Sequence, residues 1–142
     1  QITPFILLSI KKAVSQTLIF TGEKKTGEAN ICLVCDKKIS EFNKKHFGLN
    51  SPTDVIAFEI GANPGHEKLQ AEIIVSTETA FRNAKIYKTS THYELFLYII
   101  HGMLHVLGYD DNTDKKRKMM NDQAVKILSK LNIKCPFIKP KL

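Results

Sequence analysis

Two histidines four residues apart, His101 and His105, are the side chains of this sequence best placed to do chemistry. They lie in the stretch THYELFLYIIHGMLHVLGYDD, Thr91 to Asp111. On a helix that spacing puts both imidazoles on one face, one turn apart. Gly108 can take the left-handed conformation that ends a helix. Tyr109, Asp110 and Asp111 follow in a turn that brings a carboxylate back towards the rings. Two neutral imidazoles and a carboxylate are what a divalent ion needs, and a catalytic zinc keeps three protein ligands with one position open for water. The bland alternative is a pair of core histidines with satisfied hydrogen bonds. The glycine stop and the aspartates after it favour the metal.

The spacing His-x-x-x-His-x-x-Gly-x-x-Asp parallels the third-ligand spacing of the metzincin proteases. Those enzymes carry a general-base glutamate directly after the first histidine. Here that residue is Gly102, so the rigid half of a zinc site is present and the protease base is missing.

The elements that must position these side chains follow from local pattern. Thr91 and Glu94 stand in the relation of a capping box. The run from Leu95 to Leu107 is almost entirely apolar, which predicts a central, buried helix. Before it, Pro4 to Phe20 reads as an amphipathic helix with Phe5, Leu8, Ala13, Val14 and Leu18 inward and Lys11 and Lys12 outward. Thr21 to Glu28 reads as a loop, Ala29 to Cys35 as a strand, and Lys37 to Phe47 as a helix. That helix has Ile39, Phe42 and His46 on one side and stops at Gly48. After the turn cluster at Asn50 to Thr53, Asp54 to Ile60 is a strand. Gly61 to Lys68, with Pro64 and Gly65, is a polar loop, and Glu72 to Ser76 is another strand. Thr77 to Tyr87 is a helix with Ala80, Phe81, Ala84 and Tyr87 inward. Asn112 or Thr113 caps a last helix to about Leu131, with Met119, Met120, Ala124, Ile127, Leu128 and Leu131 inward. The tail from Asn132 is irregular. This order predicts an α+β fold, a small mixed β-sheet packed with about five helices. The metal site sits on a central helix and the turn after it, in one domain over residues 1–142.

Lys and Arg number 21 against 14 Asp and Glu, a formal charge of +7 that suits a polyanionic partner or simply a solvated lysine surface. Three cysteines point to a reducing compartment. Cys32 and Cys35 sit on a strand whose alternation sends them to opposite faces, so they are read as core or surface residues and not ligands, and Cys135 stands alone. The patch from Phe5 to Leu8 is too short for a secretory signal and has no charged lead. His101 and His105 interrupt the longest apolar run, which excludes a membrane span. The sequence opens on Gln1 in place of methionine, so a few residues are expected to be missing or altered there. A cytoplasmic protein is expected.

Two segments resemble the YbeY family of bacterial ribosomal RNA maturation factors. SPTDVIAF, Ser51 to Phe58, is close to the family's Pro-Thr-Asp-Val-Leu-Ser-Phe. HGMLHVLGYDD is close to His-Gly-x-Leu-His-Leu-x-Gly-Tyr-Asp-His. Between them AEIIVSTETA is similar to the family's Gly-Asp-Ile strand and the helix start after it. The resemblance implies a zinc-dependent, single-strand-specific endoribonuclease acting in 16S ribosomal RNA 3′-end maturation and 70S ribosome quality control. It also implies one zinc per chain, with ribosomal RNA and the small ribosomal subunit as partners, and no membrane or small-molecule cofactor. Three departures stand out. Asp111 replaces the third zinc-ligand histidine, an acceptable ligand that would acidify a water less and could shift the preferred metal towards manganese. Asp110 competes with it as the third ligand. Phe47, after His46, occupies the place of a family arginine that would stabilise charge at a scissile phosphate. Glu72 replaces an aspartate, a mild change.

The expected chemistry is metal-assisted phosphodiester cleavage, with an ion on His101, His105 and Asp111 polarising a phosphate oxygen or activating a water. No general base is assigned. Lys115, Lys116, Arg117 and Lys118 are candidates to hold the RNA backbone, or else form a solvated helix turn. His46, His66 and His92 read as surface histidines. The rival readings are a metal-dependent hydrolase of another substrate and a non-catalytic ribosome-associated binding protein with a structural metal.

Overall fold

β-Branched residues dominate the stretch from Ile73 to Val75, and a strand with so little polarity must be covered on both faces. A computed structural model of the chain describes residues 3–61 and 67–134. His66, Pro64 and Gly65 of the polar loop, and Cys135 with the rest of the tail, lie outside the described residues. The elements run α1 (Pro4–Thr21), β1 (Gly27–Val34), α2 (Asp36–Phe47), β2 (Val55–Glu59), β3 (Leu69–Ser76), α3 (Thr77–Tyr87), α4 (Thr91–Val106) and α5 (Asp114–Lys130). This is the order and the α+β class read from the sequence.

The sheet order is β1-β3-β2. β1 runs parallel to β3, and β2 runs antiparallel to it with Val55 opposite Val75. Strand alternation divides the apolar residues between two cores. Ala71, Ile73 and Val75 of β3, with Val55 and Ala57 of β2, join the main core with Phe96, Ile99, Ile100, Met103 and Leu104 of α4. Ile74 and Ile56 turn the other way and meet Ile39 of α2. Helix α4 contacts β2, β3, α1, α3 and α5, so it is the buried centre that its apolar run predicts.

Gly102 decides how closely α4 lies on the sheet. A Cβ at this position would stand 2.7 Å from Ile73 Cγ2 and 3.2 Å from Val55 Cγ2. Ile73 is itself fully buried and has nowhere to move. A glutamate is therefore sterically excluded at the position after His101.

The N-terminus of α4 differs from the expected capping box. Ser90 is the cap and accepts from the Tyr93 backbone N–H at 3.0 Å, while Thr91 is the first helical residue. Glu94 is buried and accepts from the Thr89 hydroxyl, having turned away from Thr91. The inward faces of three other helices also differ from the pattern reading. In α1, Phe5 and Leu8 are exposed, and the buried stripe is Ile10, Ala13 and Thr17. In α3, Phe81 and Tyr87 face solvent and Thr79 is buried. In α5, Met119 is exposed beside the buried Met120. In each helix the rotation about its axis was chosen by the neighbours it packs on, and an excess of apolar residues left more than one stripe to choose from. Cys35 lies just past β1, as the N-cap of α2, and both Cys32 and Cys35 are free and exposed.

Asp36 ties the starts of α2 and α3 together. Its Oδ1 accepts from Ser76 Oγ at 2.6 Å and Thr79 Oγ1 at 2.7 Å, and its Oδ2 from Arg82 Nη1 at 2.8 Å. Glu78 Oε2 in turn accepts from the Asp36 backbone N–H at 2.7 Å. Partial burial pushes the Asp36 pKa up, but the three donors outweigh it and the net shift is downward. A depressed folded-state pKa means that the stabilisation is complete above about pH 4 and is lost as pH falls through the folded value.

Two outcomes follow. Gly102→Ala should lower stability by about 1–2 kcal/mol in denaturant melts, since overpacking outweighs the helix propensity gained, and Gly102→Glu should lose more. An alanine variant as stable as the unaltered protein would remove the close approach. Asp36→Ala should lose about 1–3 kcal/mol at neutral pH. Its stability curve should be flatter than the unaltered protein's below about pH 4.

Candidate metal centre

Helix α4 ends in a geometry that its sequence prepares. Leu107 is the C-cap and Gly108 follows with φ 95°. The Gly108 N–H bonds to His105 O and the Tyr109 N–H to Leu104 O, both at 3.0 Å, the pair of bonds of a Schellman turn. The chain then doubles back, and Asp111 Oδ2 arrives 3.7 Å from His105 Nε2. Arg117 of α5 holds this turn, with Nη1 2.8 Å from Asp114 Oδ1 and Nη2 donating to Asp111 O at 3.3 Å. Asp110 pairs with Lys116 Nζ at 3.0 Å. That donor holds its carboxyl below the usual carboxylate range.

His101 lies one turn earlier and opens into a hollow of about 460 Å³ that also contains Asp54, Tyr98, Asp111, Arg117 and Asn121. Its Nε2 is buried and is the one buried side-chain nitrogen or oxygen among the described residues without a hydrogen-bond partner. Burial pushes the His101 pKa down and His105 adds to this; Asp54 and Asp111 oppose it, and the net shift is downward. The ring is therefore neutral near pH 7, and its Nε2 has no hydrogen-bond partner. An unpaired buried polar atom costs about 1–3 kcal/mol, which a ligand would relieve. Nitrogen, nitrogen and carboxylate oxygen form a donor set that fits a borderline divalent ion. Among the described residues, no three His, Cys, Asp or Glu side chains stand close enough together to hold a metal ion, His101, His105 and Asp111 included.

Several other polar groups of this hollow are pinned by hydrogen bonds, beside the apolar Leu97 and Met120. Tyr98 Oη accepts from Asn83 Nδ2 at 2.8 Å. Burial, with Glu94 alongside, raises the Tyr98 pKa far enough to keep the phenol protonated. Asp54 Oδ1 accepts from the Val55 N–H at 2.8 Å. Sequence reasoning missed Asp54, Asn83, Tyr98 and Asn121. Spacing was a signal for some of them: Arg117 and Asn121 are four apart on α5, and Glu94, Tyr98 and His101 recur at helical intervals on α4.

Of the basic run, Arg117 lines the His101 hollow and Lys116 is bound to Asp110, while Lys115 and Lys118 are exposed and line neither hollow at the site. His105, Phe47, Tyr109 and Asp110 line a second hollow of about 470 Å³. His46 packs between Phe42 and Phe58, and His92 packs on Phe96 with ring centroids 4.6 Å apart, away from the site. Glu72 accepts from Asn30 Nδ2 across the sheet at 2.7 Å.

These features define a small α+β domain with a His-x-x-x-His helix lying over a mixed sheet. The family model described as Endoribonuclease YbeY matches residues 5–132. The chain is 30% identical over 138 residues to Endoribonuclease YbeY of Clostridioides difficile, covering 94% of this chain and 90% of that protein. It is 35% identical over 112 residues to the protein of the same name from Petrotoga mobilis, covering 78% and 76%. The solution structure of TM1509 from Thermotoga maritima has a similar fold, with a TM-score of 0.59 at 23% identity, over 89% of this chain and 83% of that one. The chain belongs to the YbeY family. No helix among the described residues is long and apolar enough to cross a membrane.

Proposed function

We propose that this chain is a zinc-dependent endoribonuclease specific for single strands. In this reading it acts in the cytoplasm on ribosomal RNA at the small subunit, in 16S 3′-end maturation and 70S ribosome quality control. The unpartnered Nε2 of His101, on the same helix face as the His105–Asp111 pair, carries this reading. The relatives named Endoribonuclease YbeY support the reaction class.

His101, His105 and Asp111 would hold one zinc per chain. When bound, the ion supplies a Lewis acid that polarises a phosphate oxygen or activates a water. His101 is neutral, so it offers a lone pair without first losing a proton. Arg117 anchors the Asp111 backbone and presents its guanidinium to the same hollow, where it can bind a phosphate oxygen. Tyr98, kept protonated, presents a hydroxyl there. Phe47 favours a second reading, a ribosome-associated binder without turnover, because it supplies no charge where the resemblance places an arginine.

Metal analysis of the purified protein and its variants should give one zinc per chain, lost or much weakened in Asp111→Ala and retained in Asp110→Ala. Full retention in Asp111→Ala would remove that carboxylate from the site. Single-stranded RNA should be cut while duplex is spared. Cleavage should stop on chelation and return with zinc or manganese. RNA bound but never cut, with metal present, would favour the binder. Arg117→Ala should weaken binding across all sequences alike and lower its salt dependence.

A further inference from the structure

The second hollow beside the metal centre has a different chemistry from the first. Val55 and Ala57 line it together with two aromatic side chains, Phe47 and Tyr109, and the polar Asn43 and Thr53. Phe47 is 59% exposed and Tyr109 36% exposed, although both lie within reach of His105. Neither sits on a loose loop. Phe47 is the last residue of α2, which Gly48 closes in the left-handed conformation with its N–H on Lys44 O at 3.0 Å. Tyr109 is held by the bond from its N–H to Leu104 O that completes the end of α4. Two exposed aromatics thus sit at two helix ends whose backbones are closed by hydrogen bonds, and both line this hollow.

Charge argues for what fills that area. Asp110 borders this hollow and Arg117 lines the other. An anionic phosphate belongs with Arg117. An uncharged, flat, apolar ring belongs between Phe47 and Tyr109. The His105–Asp111 contact joins the two hollows, so one nucleotide can place its phosphate on one side and its base on the other. Aromatic faces that take unpaired bases by stacking are the usual device for binding single-stranded nucleic acid.

We propose that Phe47 and Tyr109 form a base-stacking subsite that takes one unpaired nucleobase of single-stranded RNA next to the metal centre. This rests on the RNA reading above and deepens it. Phe47 then has a function of its own and is more than a lost arginine. The subsite also gives a reason for single-strand preference, since a base inside a duplex cannot enter it.

The test uses a single-stranded RNA oligonucleotide carrying one 2-aminopurine, whose fluorescence is quenched on stacking, with binding read before turnover. The unaltered protein should quench the probe at one position in the strand. Phe47→Ala and Tyr109→Ala should each weaken binding by about 5- to 100-fold and lose the quenching. Phe47→Trp should keep both. Phe47→Leu, apolar but without a ring, should lose the quenching. Phe81→Ala, an exposed aromatic in a separate hollow with Asp36 and Arg82, should behave as the unaltered protein. An abasic nucleotide at the quenched position should weaken the unaltered protein by about the same factor as Phe47→Ala, with no further loss when the two are combined. If the unaltered protein binds the strand and the abasic and Phe47→Ala losses multiply in full, or Phe47→Ala binds as tightly as the unaltered protein, the subsite is wrong and the nuclease reading stands. If the unaltered protein does not bind the strand, both fall.

Discussion

The contact between Gly102 and the sheet sets the geometry of everything around it. With no Cβ at this point, α4 settles against Ile73, Val55 and Ala57. That close approach sets His105, three residues after Gly102, in one hollow with Val55 and Ala57. It places Asp54, the residue before β2, in the same hollow as His101. It also explains the absence of the glutamate that a zinc protease has after its first histidine. A carboxylate there would have to enter the main core, where neither its volume nor its charge can be accommodated. Packing and chemistry are therefore the same constraint at this position: the helix lies flush on the sheet, and proton transfer must come from elsewhere.

Around this contact the domain is tied at two polar points. One is Asp36, whose carboxylate collects donors from the start of α3 and so locks the ends of the two parallel strands to the helices that follow them. The other is the turn after α4. Its backbone bonds close the helix, Arg117 holds the Asp111 carbonyl, and Lys116 holds Asp110. Two adjacent aspartates are thereby given different tasks. One is neutralised by a lysine, and the other keeps its carboxylate near His105. One hollow of the resulting site carries Arg117, and the other carries Phe47 and Tyr109.

The element order and the α+β class were legible because each segment carries a local signal: the apolar run of α4, the short β-branched runs of β2 and β3, and the glycines that stop α2 and α4. The helix faces were less legible. Phe5, Leu8, Phe81, Tyr87 and Met119 all fit an inward stripe by spacing, yet all are exposed. These helices have more apolar residues than one buried stripe requires, and only the neighbouring element decides which stripe is covered. The cap of α4 was misplaced by one residue because Ser90 and Thr91 are chemically equivalent as caps, and the backbone conformation chose between them.

The sequence by itself determined the pair of imidazoles one helical turn apart, the glycine turn after them and the aspartates that follow, because spacing on a helix and left-handed turn chemistry are local properties. Only the tertiary structure decided that His101 Nε2 is buried without a hydrogen-bond partner, that Asp111 Oδ2 lies 3.7 Å from His105 Nε2 while Asp110 pairs with Lys116, and that Asp54, Tyr98 and Asn121 share a hollow with His101 and Asp111. The tertiary structure also decided that Phe47, sixty-two positions before Tyr109 in the chain, lines the same hollow. These depend on contacts between segments far apart in the chain, whose distance is set by how closely α4 can approach the sheet, and residue type alone carries no record of that distance.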